Sequence, residues 1–82
     1  MKKRILVVDD EEQIQRILRR NLVTRGYEVV VASDGEDALD QAAEKEPDVV
    51  VLDLVMPRID GLEFTRRFRE WSKAPIIVLS AI

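Results

Sequence analysis

Residues 4–11 read Arg4-Ile5-Leu6-Val7-Val8-Asp9-Asp10-Glu11, and residues 48–54 read Asp48-Val49-Val50-Val51-Leu52-Asp53-Leu54. Each stretch holds a short unbroken run of β-prone aliphatic residues that stops at a carboxylate. A strand with one face in water alternates apolar and polar residues, whereas a strand covered on both faces does not. The two runs therefore predict buried strands of a parallel sheet. Between them, residues 11–25 carry Ile14, Ile17, Leu18 and Leu22 at helical spacing, with Arg and Gln on the other face. Gly26 stands where that helix needs a left-handed residue at its C-terminus. Tyr27, Val29 and Val31 alternate with Glu28 and Val30, which predicts a second strand nearer an edge. Ser33-Asp34-Gly35-Glu36 reads as a capping box with Ser33 as the N-cap. The helix behind it uses Ala38, Leu39 and Ala42 and ends before Pro47. After Asp53, Val55 to Ile59 reads as a loop, and Asp60-Gly61-Leu62-Glu63 opens a helix with Phe64, Phe68 and Trp71 at i, i+4, i+7. Pro75 starts a last apolar run that reaches Ser80. The order βαβαβαβ with such short connections implies right-handed crossovers, hence an α/β fold with a parallel sheet and helices on both faces.

Composition bounds what this chain can do. Its 82 residues make one domain at most, and a domain of that length buries only about 60% of its unfolded surface. With 46% hydrophobic and 35% charged residues, it is a foldable chain and not a disordered tail. Thirteen bases against 16 acids give a net charge of −3, so no global basic field recruits nucleic acid. Cysteine and histidine are both absent, which removes disulfides, Cys/His zinc sites, haem-ligating histidine and every Ser-His or Cys-His nucleophile pair. The apolar runs are too short to span a bilayer, and the four apolar residues after Met1-Lys2-Lys3-Arg4 form no signal-peptide core. A cytoplasmic protein is expected. Residues 34–53 hold eight acids against Lys45 alone, and 58–73 hold five bases against three acids; both read as solvated faces.

The chemistry left is that of oxygen. Asp9 and Asp10 follow the first strand and Asp53 ends the third. Ligands of open parallel sheets bind outside the carboxyl ends of the strands, where strand order reverses. Three carboxylates gathered there repel one another unless a cation joins them. All-oxygen ligation suits a hard, partly hydrated ion, Mg²⁺ first and Mn²⁺ second. Ser80 ends the fourth strand, so its hydroxyl is a candidate for the same crevice. Simpler roles exist for each residue taken alone. Asp10 with Gln13 reads equally well as an N-cap and its box partner, Asp53 as a turn cap, and serine is common at strand ends. The coincidence of all three carboxylates at strand ends favours a site.

Asp9-Asp10 after the first strand, Asp53 after the third, Pro57 four residues on and then Asp60-Gly61 form a pattern that resembles the receiver (CheY-like) domain of two-component response regulators. Ile76-Ile77-Val78-Leu79-Ser80-Ala81 continues the resemblance to the end of the chain, and Trp71-Ser72 looks most like receivers of OmpR-type winged-helix transcription regulators. The resemblance implies a flavodoxin-like sheet of four strands in order 2-1-3-4 with three helices. It implies Asp53 as phosphoryl acceptor from a sensor histidine kinase, and Asp10 as a direct Mg²⁺ ligand. Asp9 would act on the metal through water, and the Val55 carbonyl would add a further ligand. By similarity, the Ser80 hydroxyl and the Ala81 amide would hydrogen-bond the phosphoryl group.

Receivers of this family continue through a fourth helix, a fifth strand that carries a lysine and a switch aromatic, and a fifth helix. Residues 1–82 are therefore expected to be the N-terminal portion of such a domain, with any output domain outside it and phosphorylation impaired without that lysine. Loss of the fifth helix is expected to uncover the first and third strands on one face, and loss of the fifth strand to leave the fourth open. Self-association or element swapping would cover both. The reading from another class is a self-associating structural or engineered half-domain without phosphotransfer. A haloacid-dehalogenase-type phosphohydrolase would need an aspartate where Val55 stands. Nucleotide and flavin binding lack any G-x-G-x-x-G or P-loop, and direct DNA binding by this segment is not expected.

Overall fold

The computed structural model describes residues 2–53 and 61–79. Seven elements follow one another: β1 (Arg4–Val8), α1 (Glu12–Thr24), β2 (Glu28–Ala32), α2 (Gly35–Lys45), β3 (Val49–Asp53), α3 (Gly61–Phe68) and β4 (Ile76–Leu79). The strands pair in parallel in the order β2-β1-β3-β4, as the sequence predicted. Val8 lies beside Ala32 on one side and Leu52 on the other, so the carboxyl ends of β1 and β3 are neighbours. Strand order reverses between these two, because β2 joins one side of β1 and β3 the other.

Alternation along the strands divides the sheet into two unequal faces. Leu6, Val8, Val50 and Leu52 point to one side, where they form a closed core with Ala32, Ala38 and Ala42 and with Phe64 and Phe68. The alanines let α2 approach the sheet, and the two α3 rings fill the volume beside it, stacked with centroids 5.3 Å apart. Each buried phenylalanine side chain contributes roughly 2–3 kcal/mol of transfer free energy. Trp71 stands in the turn after α3, which ends at Phe68, and its half-exposed ring meets Phe68 edge-on at 5.1 Å.

Among the described elements, α1 alone covers the opposite face. Ile5 and Val7 of β1 are buried, while Val49 and Val51 of β3 are only half-buried. The expectation that both strands would be uncovered thus fails for β1. That strand is central, and α1 packs against β1 and β2, away from β3. No residue of α1 is fully buried, and Ile17 of its apolar stripe is 52% exposed. At the edge, Ile77, Val78 and Leu79 of β4 are all exposed, and β3 is β4's only partner among the described strands.

The expected cap of α2 moves by one residue. Asp34, not Ser33, is the N-cap of α2: its carboxylate accepts from the Asp37 N–H at 2.8 Å, and the Asp37 carboxylate accepts from the Ser33 N–H at 3.3 Å. The Ser33 hydroxyl is engaged elsewhere, by the Gln15 amide. Likewise Glu11, not Asp10, is the N-cap of α1, which leaves Asp10 free of a capping role. Gly26 adopts φ +94° after α1, as its position predicted. At the N-terminal end of the sheet, the Arg4 side chain donates to Glu28 at 2.9 Å and to the Lys45 carbonyl, and its backbone N–H to Asp48 at 2.8 Å. These bonds tie β1 to β2 and to the chain entering β3.

Candidate functional site

Asp9 continues the β1–β2 ladder by one bond, its N–H donating to the Ala32 carbonyl at 3.1 Å. Its carboxylate turns back to accept the Glu11 N–H at 2.8 Å, and its carbonyl accepts from the Gln15 side-chain amide. Asp10, exposed, follows in the loop, and Asp53 closes β3 half-buried. The three predicted carboxylates come together: one oxygen from each lies within 4.8 Å of the other two. Val55, Ser80 and Ala81, the remaining residues predicted for the site, lie outside the described residues.

The electrostatics follow from this crowding. Burial pushes the Asp9 carboxyl above its usual range, the Glu11 N–H opposes this, and the charges of Asp53 and Asp10 raise it further. A raised carboxyl means that the folded state holds its proton to higher pH than the unfolded chain does. Stability is therefore lost as pH climbs through that window, and the cost is fully present at neutral pH. Asp9→Asn keeps an oxygen for the Glu11 N–H and removes the charge. It should raise the metal-free unfolding midpoint by a few degrees at pH 7 and leave it unchanged at pH 3, measured by thermal melts at both values.

A hard cation relieves the same repulsion. In an octahedral Mg²⁺ shell, donors at about 2.1 Å stand no more than about 4.2 Å apart. Oxygens within 4.8 Å of one another fit that shell with two carboxylates direct and the third through water, or all three after a small contraction. The donor set, three carboxylates and no nitrogen or sulfur, fits Mg²⁺ and Mn²⁺. Among the described residues, no helix is long and apolar enough to cross a membrane.

The response regulator receiver domain family matches residues 5–82. The transcriptional regulatory protein KdpE of Mycobacterium tuberculosis (strain ATCC 25618 / H37Rv) is 54% identical over 94% of this chain and 34% of its own length. The alkaline phosphatase synthesis transcriptional regulatory protein PhoP of Bacillus subtilis (strain 168) is 48% identical over 99% of this chain and 34% of its own. The chain thus spans about a third of the curated relatives it matches. Among solved structures, the response regulator TrrA of Thermotoga maritima, in complex with Mg²⁺-BeF, superposes with a TM-score of 0.90. It is 44% identical over 98% of this chain and 70% of its own. The parallel order 2-1-3-4, the acidic cluster at its reversal point and these matches agree, and the chain belongs to the response regulator receiver domain family, the signalling modules of two-component phosphorelays.

Proposed function

We propose that this chain is the N-terminal portion of a receiver that takes a phosphoryl group onto Asp53 from a sensor histidine kinase, in a Mg²⁺-dependent reaction that regulates transcription in the parent protein. The observation that carries the reading is the meeting of Asp9, Asp10 and Asp53 at the end of β1 and β3. Asp10 and Asp53 would hold Mg²⁺ directly, Asp9 mainly through water, and by similarity the Val55 carbonyl would be a further ligand. Bound there, Mg²⁺ supplies positive charge against the transferring phosphoryl oxygens. An Asp53 carboxylate oxygen attacks the phosphorus in line as the bond to the donor's nitrogen breaks, and an acyl phosphate results. The Ser80 hydroxyl and the Ala81 amide donate to the phosphoryl oxygens. The similar TrrA structure was solved in complex with Mg²⁺-BeF, which supports a Mg²⁺ site in a receiver of this fold.

Incubation with Mg²⁺ and a small acyl-phosphate donor, followed by intact mass and peptide mapping, tests the reading. A phosphoryl adduct that maps to residues 49–53 and fails to form when Mg²⁺ is chelated beforehand is expected. A folded chain that gains none under any Mg²⁺ concentration overturns it.

Among the described strands β4 pairs on one side only, and this favours a second property, association with another copy of this chain. The accessible surface is 5578 Å², against about 5,000 Å² for an ordinary monomer of this mass.

A further inference from the structure

We infer that Gln15 is a positioning residue for the acidic site: its side-chain amide clamps the Asp9 carbonyl against Ser33 and thereby sets where the Asp10 carboxylate stands. The inference rests on the Mg²⁺ reading above. Gln15 Nε2 donates both to the Asp9 carbonyl and to Ser33 Oγ, the latter at 3.2 Å. A carbonyl only accepts, so the amide's NH₂ end must face it, and its second proton is left for the hydroxyl. One side chain of α1 therefore joins the turn after β1 to the turn after β2.

Asp9 is held at every polar group it has. Its N–H is bonded to β2, its carboxylate to the Glu11 N–H and its carbonyl to Gln15. The carbonyl belongs to the planar peptide that leads into Asp10, so fixing that oxygen fixes the plane from which Asp10 departs. Among the described residues, the exposed Asp10 side chain has no hydrogen bond of its own. Its placement is inherited from the peptide before it. The Gln15 backbone N–H also bonds the Glu11 carbonyl at 3.1 Å, so residues 9–15 close on themselves at both ends. Groups that orient metal ligands in this way typically matter 10- to 100-fold in metal affinity.

Calorimetric titration with Mg²⁺ of the wild type, Gln15→Leu, Gln15→Glu and Ser33→Ala tests this, with metal-free thermal melts of each. Gln15→Leu should weaken Mg²⁺ binding about tenfold and Ser33→Ala about threefold, with the double variant no weaker than Gln15→Leu, because Ser33 acts through Gln15. Metal-free melting midpoints should stay within a few degrees. A purely structural role would move the melts and leave the affinity alone. Gln15→Glu is the sharpest arm: Coulomb attraction alone would tighten cation binding, whereas a carboxylate cannot donate to the Asp9 carbonyl, so weaker binding is expected. Wild-type affinity in Gln15→Leu, or tighter binding in Gln15→Glu, overturns the inference and leaves the Mg²⁺ site standing. A folded wild type that binds no Mg²⁺ overturns both.

Discussion

Asp53→Asn should leave a folded chain that gains no phosphoryl group from Mg²⁺ and a small acyl-phosphate donor, while the wild type is labelled under the same conditions. The effect is all-or-none because of what the substitution does to the attacking atom. A carboxylate oxygen carries a full negative charge shared over two atoms, and an amide offers only a delocalised, neutral oxygen and nitrogen. No second nucleophile of the acidic cluster is expected to take over. Histidine and cysteine are absent from the chain, the Asp9 carboxylate accepts the Glu11 N–H, and Asp10 is assigned to the metal under the proposed function. Asparagine fits the same volume at the end of β3, so the sheet should survive and circular dichroism should match the wild type. Equal labelling of the variant would place the acceptor elsewhere and remove Asp53 from its role. No labelling of either protein, both folded, would move the self-associating half-domain reading to first place.

What the sequence made legible, and what it did not, divides along a physical line. Asp9, Asp10 and Asp53 were readable because each follows a run of residues apolar on both faces, and such a run fixes both the strand and its end. The strand order 2-1-3-4 came from the resemblance, and the alternation of Tyr27, Val29 and Val31 independently placed β2 near an edge. Gln15 was not readable. It lies on the polar side of an amphipathic helix, where glutamine is expected to meet water, and its partners are 6 and 18 residues away. The capping error at Ser33 has the same origin. Ser33 and Asp34 are both good N-caps, and a long-range bond from Gln15 to the Ser33 hydroxyl coincides with the cap passing to Asp34. Local chemistry is written in neighbouring residues, whereas contacts between turns arise only once the sheet has brought those turns together. The cover over β1 belongs to the second class, since it depends on where α1 comes to rest.

On the proposed association through β4, Ile77→Lys should give a monomer. In parallel pairing, Ile76 and Val78 share a face with Val50 and Leu52, so Ile77 and Leu79 point to the face that only α1 covers. Ile77 is 54% exposed there, beside half-buried Val51, on a strand whose one partner among the described strands is β3. Two copies that meet at β4 about a two-fold axis pair antiparallel and continue the sheet to eight strands. That arrangement also suits the charges. The chain entering β4 carries Arg69, bonded to the Ser72 and Ala74 carbonyls, and Lys73, while the far end of the sheet carries the three carboxylates. Antiparallel pairing brings the basic end of one copy toward the acidic end of the other; a parallel contact would set like charge against like. A lysine at position 77 must either bury its ammonium in that seam or hold the edges apart, and lysine is a common device on natural edge strands for this reason. Loss of a central apolar anchor worth about 2 kcal/mol or more weakens association at least about 30-fold. Sedimentation velocity across micromolar concentrations should therefore show a dimer or larger species for the wild type and a monomer for Ile77→Lys. Val23→Lys is the control, since Val23 is about as exposed as Ile77 but sits on α1, which packs against β1 and β2 and away from β4. Its association should equal the wild type's. A monodisperse wild-type monomer at tens of micromolar would mean that the open edge of β4 is tolerated in water and that the excess surface draws in no second copy. Dissociation by Val23→Lys to the same degree would shift the contact from the strand edge to the face of α1.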